Sequence, residues 1–96
     1  RRKMIEREAQ RLVVKVPMVI ANARGLLDAG RSALQPGEQI FDLRQVGDAD
    51  SSAIAVMLGW MRVASRSRST VRFAHIPAGV RSLAELYGLT ELLPLA

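Results

Sequence analysis

One stretch of the sequence decides the fold. Residues 40–58 read IFDLRQVGDADSSAIAVML, and the spacing of the apolar residues changes in the middle of this run. Residues 40–43 form a short apolar segment typical of a strand, and its mixed faces indicate a sheet that helices cover on one side. After Asp50-Ser51-Ser52 the apolar residues follow helical spacing instead. The stretch therefore predicts a strand, a polar loop and a helix in direct succession.

The helix after this loop carries the only tryptophan of the chain, outside its apolar stripe. The stripe recurs at helical spacing and consists of Ile54, Met57, Leu58, Met61 and Ala64. Trp60 is offset from the stripe, which predicts a partly exposed side chain near the polar loop. Because tryptophan is enriched among the residues that dominate binding energies, Trp60 is a candidate partner contact. The alternative is a position at the edge of the core.

The alternation of strands and helices extends along the chain in both directions. Residues 12–16 alternate β-branched and other apolar residues on one face, which predicts a strand, and residues 71–76 predict another. Residues 4–7 are expected to form an antiparallel partner of the first of these strands through a turn near Ala9-Gln10. Residues 89–93 are expected to form a last turn that folds back on the core.

Two more helices complete this pattern. Asn22 is a candidate N-cap for a helix that runs to Pro36-Gly37. A third helix is expected to begin near Ala78 and to end at Gly88 in the left-handed conformation. Its inward face consists of Val80, Leu83, Ala84 and Tyr87.

The resulting order is strand, strand, helix, strand, helix, strand, helix. Strands that alternate with helices after an opening hairpin predict an α/β fold, with a mixed sheet of four to five strands and helices packed mainly on one side. A chain of 96 residues can form one hydrophobic core and not two. We therefore expect one domain over residues 1–96, with a flexible end at residues 1–3. The chain begins with arginine rather than methionine, which is typical of a fragment or a processed chain.

The composition excludes several classes of site. The chain has no cysteine, which excludes disulfide scaffolds, zinc ribbons and thiol catalysis. Its single histidine, His75, excludes a metal site made of histidines alone. We therefore expect no metal and no cofactor. The longest apolar run, residues 53–61, is far shorter than the roughly 20 residues of a membrane span.

Positive charge is the main electrostatic feature of the chain. It has 14 basic and 9 acidic residues, for a net charge of +5, and all but two of the basic residues are arginines. This balance fits nucleic acid, an anionic membrane surface or an acidic protein partner, and equally a genome of biased base composition. The arginines are scattered, and Phe41, Phe73 and Tyr87 have the spacing of core residues. Because stacking aromatics are missing, we expect no nucleic-acid site, and we expect residues 66–68 to form a solvated turn.

The polar loop at residues 47–52 has two interpretations. In the first it is a helix cap, in which Asp50 or Ser51 accepts the free amides at the start of the helix. In the second, Ser51 and Ser52 hold hydroxyls at a helix N-terminus, where a phosphate or a donor from a partner is well placed. Partner binding or regulation would then involve Asp50, Ser51, Ser52 and Trp60.

Enzymatic interpretations of the same loop are weaker. The pattern Asp48-x-Asp50 also occurs in Mg²⁺ sites for phosphoryl transfer, but here it lies several residues beyond the strand, and the chain has no room for a substrate-covering domain. A triad of Ser51 or Ser52 with His75 and an aspartate lacks the Gly-x-Ser-x-Gly elbow. We expect no catalytic residue and no enzyme.

Two segments of the chain resemble a known family. Residues 41–46, FDLRQV, and residues 48–55, DADSSAIA, resemble the core of the STAS domain, which anti-sigma factor antagonists and sulfate transporters share. The family pattern is Asp-Leu-x-x-Val, a short spacer, and Asp-Ser/Thr-Ser/Gly-Gly at the start of a helix. Ala53 stands where glycine is usual. In the antagonists the phosphorylated serine is the second hydroxyl after the aspartate, which corresponds to Ser52.

The end of the chain narrows the resemblance. Residues 80–89, VRSLAELYGL, and the following Leu92-Leu93-Pro94 are similar to the MlaB-like STAS subunit of the Mla-type phospholipid ABC transporter. In that subunit the hydroxyl is the first position after the aspartate, which corresponds to Ser51. The resemblance implies a non-enzymatic bacterial subunit in phospholipid transport and lipid asymmetry. It would be cytoplasmic, would bind and support the transporter's ATPase, and would reach the inner membrane only through that partner. The alternative is an anti-sigma factor antagonist that binds a kinase and is switched by phosphorylation of Ser52.

Overall fold

The computed structural model describes residues 3–96, in which four strands and three helices follow the predicted order. The elements are β1 (Ile5–Glu8), β2 (Arg11–Val14), α1 (Ile20–Ala33), β3 (Gly37–Asp42), α2 (Ser52–Ser65), β4 (Ser69–Ala74), α3 (Ala78–Leu86) and a 3-10 turn (Thr90–Leu92). The boundaries differ from the predicted ones by only a few residues. The predicted flexibility of residues 1 and 2 falls outside the described residues.

The four strands form one mixed sheet in the order β1-β2-β3-β4. β1 and β2 are antiparallel, which confirms the predicted opening hairpin, and Ala9 in its turn has a positive φ of 59°. β2, β3 and β4 are mutually parallel, and α1 and α2 connect them. Because β2, β3 and β4 run in the same direction, the loops that lead from these strands into α1, α2 and α3 all lie at the same end of the sheet. The predicted α/β class with a four-stranded mixed sheet is confirmed.

The hydrophobic core joins one face of the sheet to the helices. Leu12 and Val14 of β2, Phe41 of β3 and Phe73 of β4 are all buried in a single cluster that also includes residues of α1, α2 and α3. The strand residues between them, such as Val13, stay outside this cluster. Each strand therefore points alternate side chains to the helices, as its period of two requires.

The other face of the sheet carries ion pairs. Nη1 of Arg11 lies 3.0 Å from Oδ2 of Asp42, and Nε of Arg72 lies 2.6 Å from Oε2 of Glu38. Lys15 also lies within ion-pair distance of two glutamates of β1. The pair of Arg72 and Glu38 is exposed, and a pair of this kind contributes at most about 1 kcal/mol. Asp42, by contrast, is buried, and Arg11 supplies the opposite charge that it needs there.

Of the two interpretations of Trp60, partial exposure is wrong, and the side chain belongs to the core. The side chain is fully buried, and its ring stacks on Phe41 with centroids 3.9 Å apart. Its indole Nε1 donates a hydrogen bond of 3.0 Å to the carbonyl oxygen of Leu26 in α1. α2 is covered by the sheet on one side and by α1 on another, so its buried arc is wider than the apolar stripe in its sequence. Gly30 makes the room for the indole, because a Cβ at that position would lie 2.1 Å from Nε1 of Trp60.

Two further details correct the predicted helices. α1 begins at Ile20 rather than near Asn22, and Asn22 is no N-cap: its side-chain amide donates to the carbonyl oxygen of Pro17 at 2.8 Å. Tyr87 was expected on the inward face of α3 but is 54% exposed. The helix ends at this residue, and Gly88 turns the chain with a φ of 70°, as predicted, so helical spacing no longer directs the Tyr87 side chain.

Replacing Gly30 by alanine tests the contact between α1 and α2. Gly30→Ala forces a methyl group into the indole of Trp60, and we expect it to lower the free energy of unfolding by about 1–3 kcal/mol. Gly79→Ala is the matched control, because a Cβ there meets nothing within 4 Å. In the first turn of α3 it should be neutral or stabilising by up to about 1 kcal/mol. Urea denaturation of both variants measures the difference, and equal stabilities would contradict the packing described here.

Candidate functional site

Two loops meet at the end of the sheet where the parallel strands lead into α1 and α2. Met18, just before α1, and Ala49, just before α2, form an isolated parallel bridge. The amide of Met18 donates to the carbonyl oxygen of Asp48 at 3.0 Å, and the amide of Asp50 donates to the carbonyl oxygen of Met18 at 3.1 Å. This bridge places the N-termini of α1 and α2 side by side.

The carboxylate of Asp50 caps both helices. Its Oδ1 accepts a hydrogen bond of 2.9 Å from the amide of Ser52 and a second one from the Ser52 hydroxyl. Its Oδ2 accepts a hydrogen bond of 3.1 Å from the amide of Ile20. Neither helix has a side-chain hydrogen bond from the residue that directly precedes it. One side chain therefore satisfies free amides at two helix N-termini, where a negative charge is also favoured by both helix dipoles.

These hydrogen bonds keep Asp50 ionised. The Ser52 hydroxyl lowers the pKa of Asp50 most, followed by the backbone amides of Ser52 and Ile20. All three donors favour the charged carboxylate over the protonated form. At neutral pH the site thus contains a fixed negative charge that only accepts hydrogen bonds.

The two serines differ in their surroundings. Ser51 is exposed, and no partner for its hydroxyl exists among residues 3–96. Ser52 is half-buried, and its hydroxyl is donated to Asp50. The Ser52 hydroxyl is thus already engaged within the domain, unlike that of Ser51. The cap interpretation is confirmed for Asp50, whereas Ser51 remains available to another molecule.

An exposed isoleucine adjoins these polar groups. Ile20 is 75% exposed, although it is a large apolar residue, and its backbone is bonded to Asp50. No pattern in the sequence singled it out, because it lies 30 residues from Asp50 along the chain. The only local feature that could have indicated a binding residue here is a large apolar side chain at the first, solvent-facing position of a helix. Asp50 thus joins three different groups on one surface: the side chain of Ile20, the hydroxyl of Ser51 and its own carboxylate.

The histidine of the triad interpretation lies apart from the two serines. The side chain of His75 lies beyond the end of β4, where its Nε2 is 2.7 Å from a guanidinium nitrogen of Arg44 and not beside either serine. Residues 3–96 contain no group of three or more histidine, cysteine or acidic side chains that could hold a metal ion. Over the same residues, no helix has the length and apolar character needed to cross a membrane.

One family model matches nearly the whole sequence. A family model described as "Mlab, STAS domain" matches residues 2–94. The chain belongs to this MlaB-type STAS domain family. The resemblance inferred from the strand–loop–helix motif is therefore confirmed over nearly the whole chain. Domains of this family are typically regulatory or accessory rather than enzymatic.

Two solved structures are similar to this STAS domain in fold. One is a putative anti-sigma factor antagonist from Thermotoga maritima, with a TM-score of 0.73, 13% identity, and coverage of 95% of this chain and 82% of that chain. The other is an anti-sigma-factor antagonist (STAS) domain protein from Planctomyces limnophilus, with a TM-score of 0.67, 21% identity, and coverage of 95% and 86%. No curated protein matches the chain. At these identities the two structures establish the fold alone.

The double cap predicts how Asp50→Asn changes stability with pH. Hydrogen bonds hold the pKa of Asp50 below the ordinary value of 3.8 in the folded domain. The stability that this carboxylate contributes is therefore present above that pH, and it is lost as the pH falls through the lower folded-state pKa. Asp50→Asn should melt below the wild type at neutral pH, and the gap should shrink in acid.

Thermal melts between about pH 2 and pH 7 measure this gap. Asp48→Asn is the matched control, because Asp48 lies in the same loop and is exposed. It should follow the wild-type pH dependence. If the melting temperatures of Asp50→Asn and the wild type differ by the same amount at every pH, Asp50 does not cap the helices as an anion.

Proposed function

We propose that this STAS domain is a non-enzymatic accessory subunit of a phospholipid-transporting ABC transporter of the Mla type. It binds the ATPase subunit through Ile20, Asp50 and Ser51, and it is cytoplasmic and reaches the inner membrane through that partner. The observation that carries this proposal is an isoleucine that is 75% exposed and whose amide donates to the Asp50 carboxylate, next to the exposed Ser51 that follows Asp50 in the chain. The match to an MlaB-type family model supports the proposal at the level of the family.

A permanent partner fits this combination of groups. Full burial of an isoleucine side chain contributes about 1.5–3 kcal/mol, and an isoleucine exposed at a helix start makes that energy available to a bound protein. Because Asp50 holds the backbones of both loops, little conformational freedom remains to be lost on binding. A domain that binds one conformation of the ATPase more tightly shifts the ATPase toward it, which is how a subunit without catalytic residues can support activity.

The alternative function is that of an anti-sigma factor antagonist. Both solved structures described above carry that description. In this function a kinase would phosphorylate Ser52, whose hydroxyl is bonded to Asp50. The phosphate would add a charge of about −1.5 to −2 next to an ionised carboxylate, and the repulsion would break the cap and release the partner. Ser52 is half-buried and engaged, whereas Ser51 is exposed, which favours the accessory subunit.

Charge and bulk introduced at the proposed surface should prevent binding of the ATPase. Ser51→Glu and Ile20→Lys should each weaken the complex by about tenfold or more, because they place an unpaired charge in the interface. Both side chains are exposed, so both variants should melt close to the wild type. Ser32→Glu is the matched control: Ser32 is also exposed, but it lies near the opposite end of α1. Co-purification with the Mla-type ATPase subunit of the same organism, with melting curves of each variant, measures the effect.

Full ATPase binding by both Ser51→Glu and Ile20→Lys would contradict the proposed surface. The accessory function itself would be contradicted by phosphorylation of Ser52 by an anti-sigma factor kinase of the same organism, detected by mass spectrometry, together with no binding of the ATPase by the wild type. Ser52→Glu is less suitable as a probe, because its carboxylate meets Asp50 and should itself lower the melting temperature.

A further inference from the structure

We infer that a groove along the free edge of β4 binds an extended, acidic segment of a partner protein by strand addition. The groove lies at the C-terminal end of α2, whereas the surface around Ser51 lies at its N-terminal end. A helix of 14 residues separates the two, which corresponds to about 20 Å. The two surfaces can therefore be occupied at the same time, and neither depends on the other.

The C-terminal tail covers only part of the β4 edge. The amide of Phe73 donates to the carbonyl oxygen of Pro94 at 2.8 Å, and the amide of Ala96 donates to the carbonyl oxygen of Phe73 at 2.9 Å. Backbone groups alternate sides along a strand, so Val71 and Ser69 direct their amides and carbonyls to the same edge as Phe73. No described strand pairs with β4 along that part of the edge.

A groove of about 390 Å³ lies beside this unpaired edge. Its apolar lining comes from Met61 and Ala64 of α2, Val71 of β4 and Pro94 of the tail. Hydroxyl groups of three neighbouring residues and the side chain of Arg72 complete the lining. An extended peptide can therefore place every second side chain on an apolar floor while its backbone pairs with the strand, as in other cases of strand addition.

Basic residues adjoin the lining of the groove in the sequence: Arg62 follows Met61, Arg66 follows Ser65 and Arg68 precedes Ser69. All three arginines are exposed, and none of them forms an ion pair within residues 3–96. By contrast, Arg72 is paired with Glu38. Three unpaired positive charges on residues adjacent to the lining favour a segment with acidic side chains, which they would attract and orient.

Other anionic or extended ligands fit this groove less well. Val71 is recessed, with 7% of its surface exposed, so a flat lipid surface would not reach the strand edge. A second copy could offer its own β1 edge or its own β4 edge. It carries the same net charge of +5, however, so it would repel the unpaired arginines rather than attract them.

A blocked octapeptide of alternating glutamate and valine is the probe for this groove. Added to the isotope-labelled domain, it should cause saturable NMR shifts of the backbone amides of Ser69 and Val71 and little change at Ser51. An octapeptide of alternating lysine and valine should bind at least about tenfold more weakly. Arg62→Glu combined with Arg66→Glu should reduce affinity for the acidic peptide by a similar factor, about tenfold. The matched control, Arg24→Glu with Arg31→Glu on α1, changes the net charge equally and should reduce it by less than about twofold.

Peptides methylated on their backbone nitrogens test strand pairing on the unmodified domain. One version is methylated at every valine and the other at every glutamate, which blocks opposite edges of the extended peptide. Because strand addition uses one edge, one version should lose binding and the other should keep it. Equal binding of both versions at the parent affinity would overturn strand addition. Two further results would overturn the inference, each together with no binding of the acidic peptide. One is binding to phosphatidylglycerol vesicles that depends on the arginines, and the other is self-association of the domain that depends on its concentration.

Discussion

The carboxylate of Asp50 is the contact on which the candidate site depends. It accepts hydrogen bonds from the first amides of two helices that belong to different crossovers of the sheet. Helix N-termini concentrate positive partial charge, and two of them side by side would repel each other without an anion between them. The ionised carboxylate removes that repulsion and satisfies amides that would otherwise lack a partner. Ile20 and Ser51 share one surface because of this arrangement.

The hydrophobic core holds α1 and α2 together at a second contact, farther from their N-termini. Trp60 extends from α2 to the backbone of α1, where Leu26 accepts its indole hydrogen and Gly30 leaves space for its ring. The ring also stacks on Phe41 of the central strand β3. Asp50 and Trp60 therefore hold the two helices together at two points along their length. The contact at Asp50 is polar, and the contact at Trp60 is mainly apolar. A partner that binds at the helix N-termini meets a surface that the core already holds rigid.

The two ends of α2 carry opposite chemistry for a physical reason. Negative charge is stabilised at the N-terminus of a helix and positive charge at the C-terminus. Asp50 lies at the first end, and Arg62 and Arg66 lie at the second. Arginines can therefore gather at the end of α2 without ion-pair partners, at little cost in stability. Residues 66–68 form an exposed turn, as predicted, and this turn leads directly into β4.

The sequence by itself determined the order of the elements and the cap at Asp50. Both depend on local patterns: the apolar period changes from two to about 3.6 residues, and an acidic residue precedes a helix. Only the tertiary structure decided that Trp60 is buried, that Tyr87 is exposed, and that Ile20 adjoins the two serines. Periodicity reveals one apolar face of a helix, but the number of sides covered depends on neighbours that are distant in sequence. Leu26 lies 34 residues from Trp60, and Ile20 lies 30 residues from Asp50. Such contacts arise when the crossovers pack, and no local pattern records them.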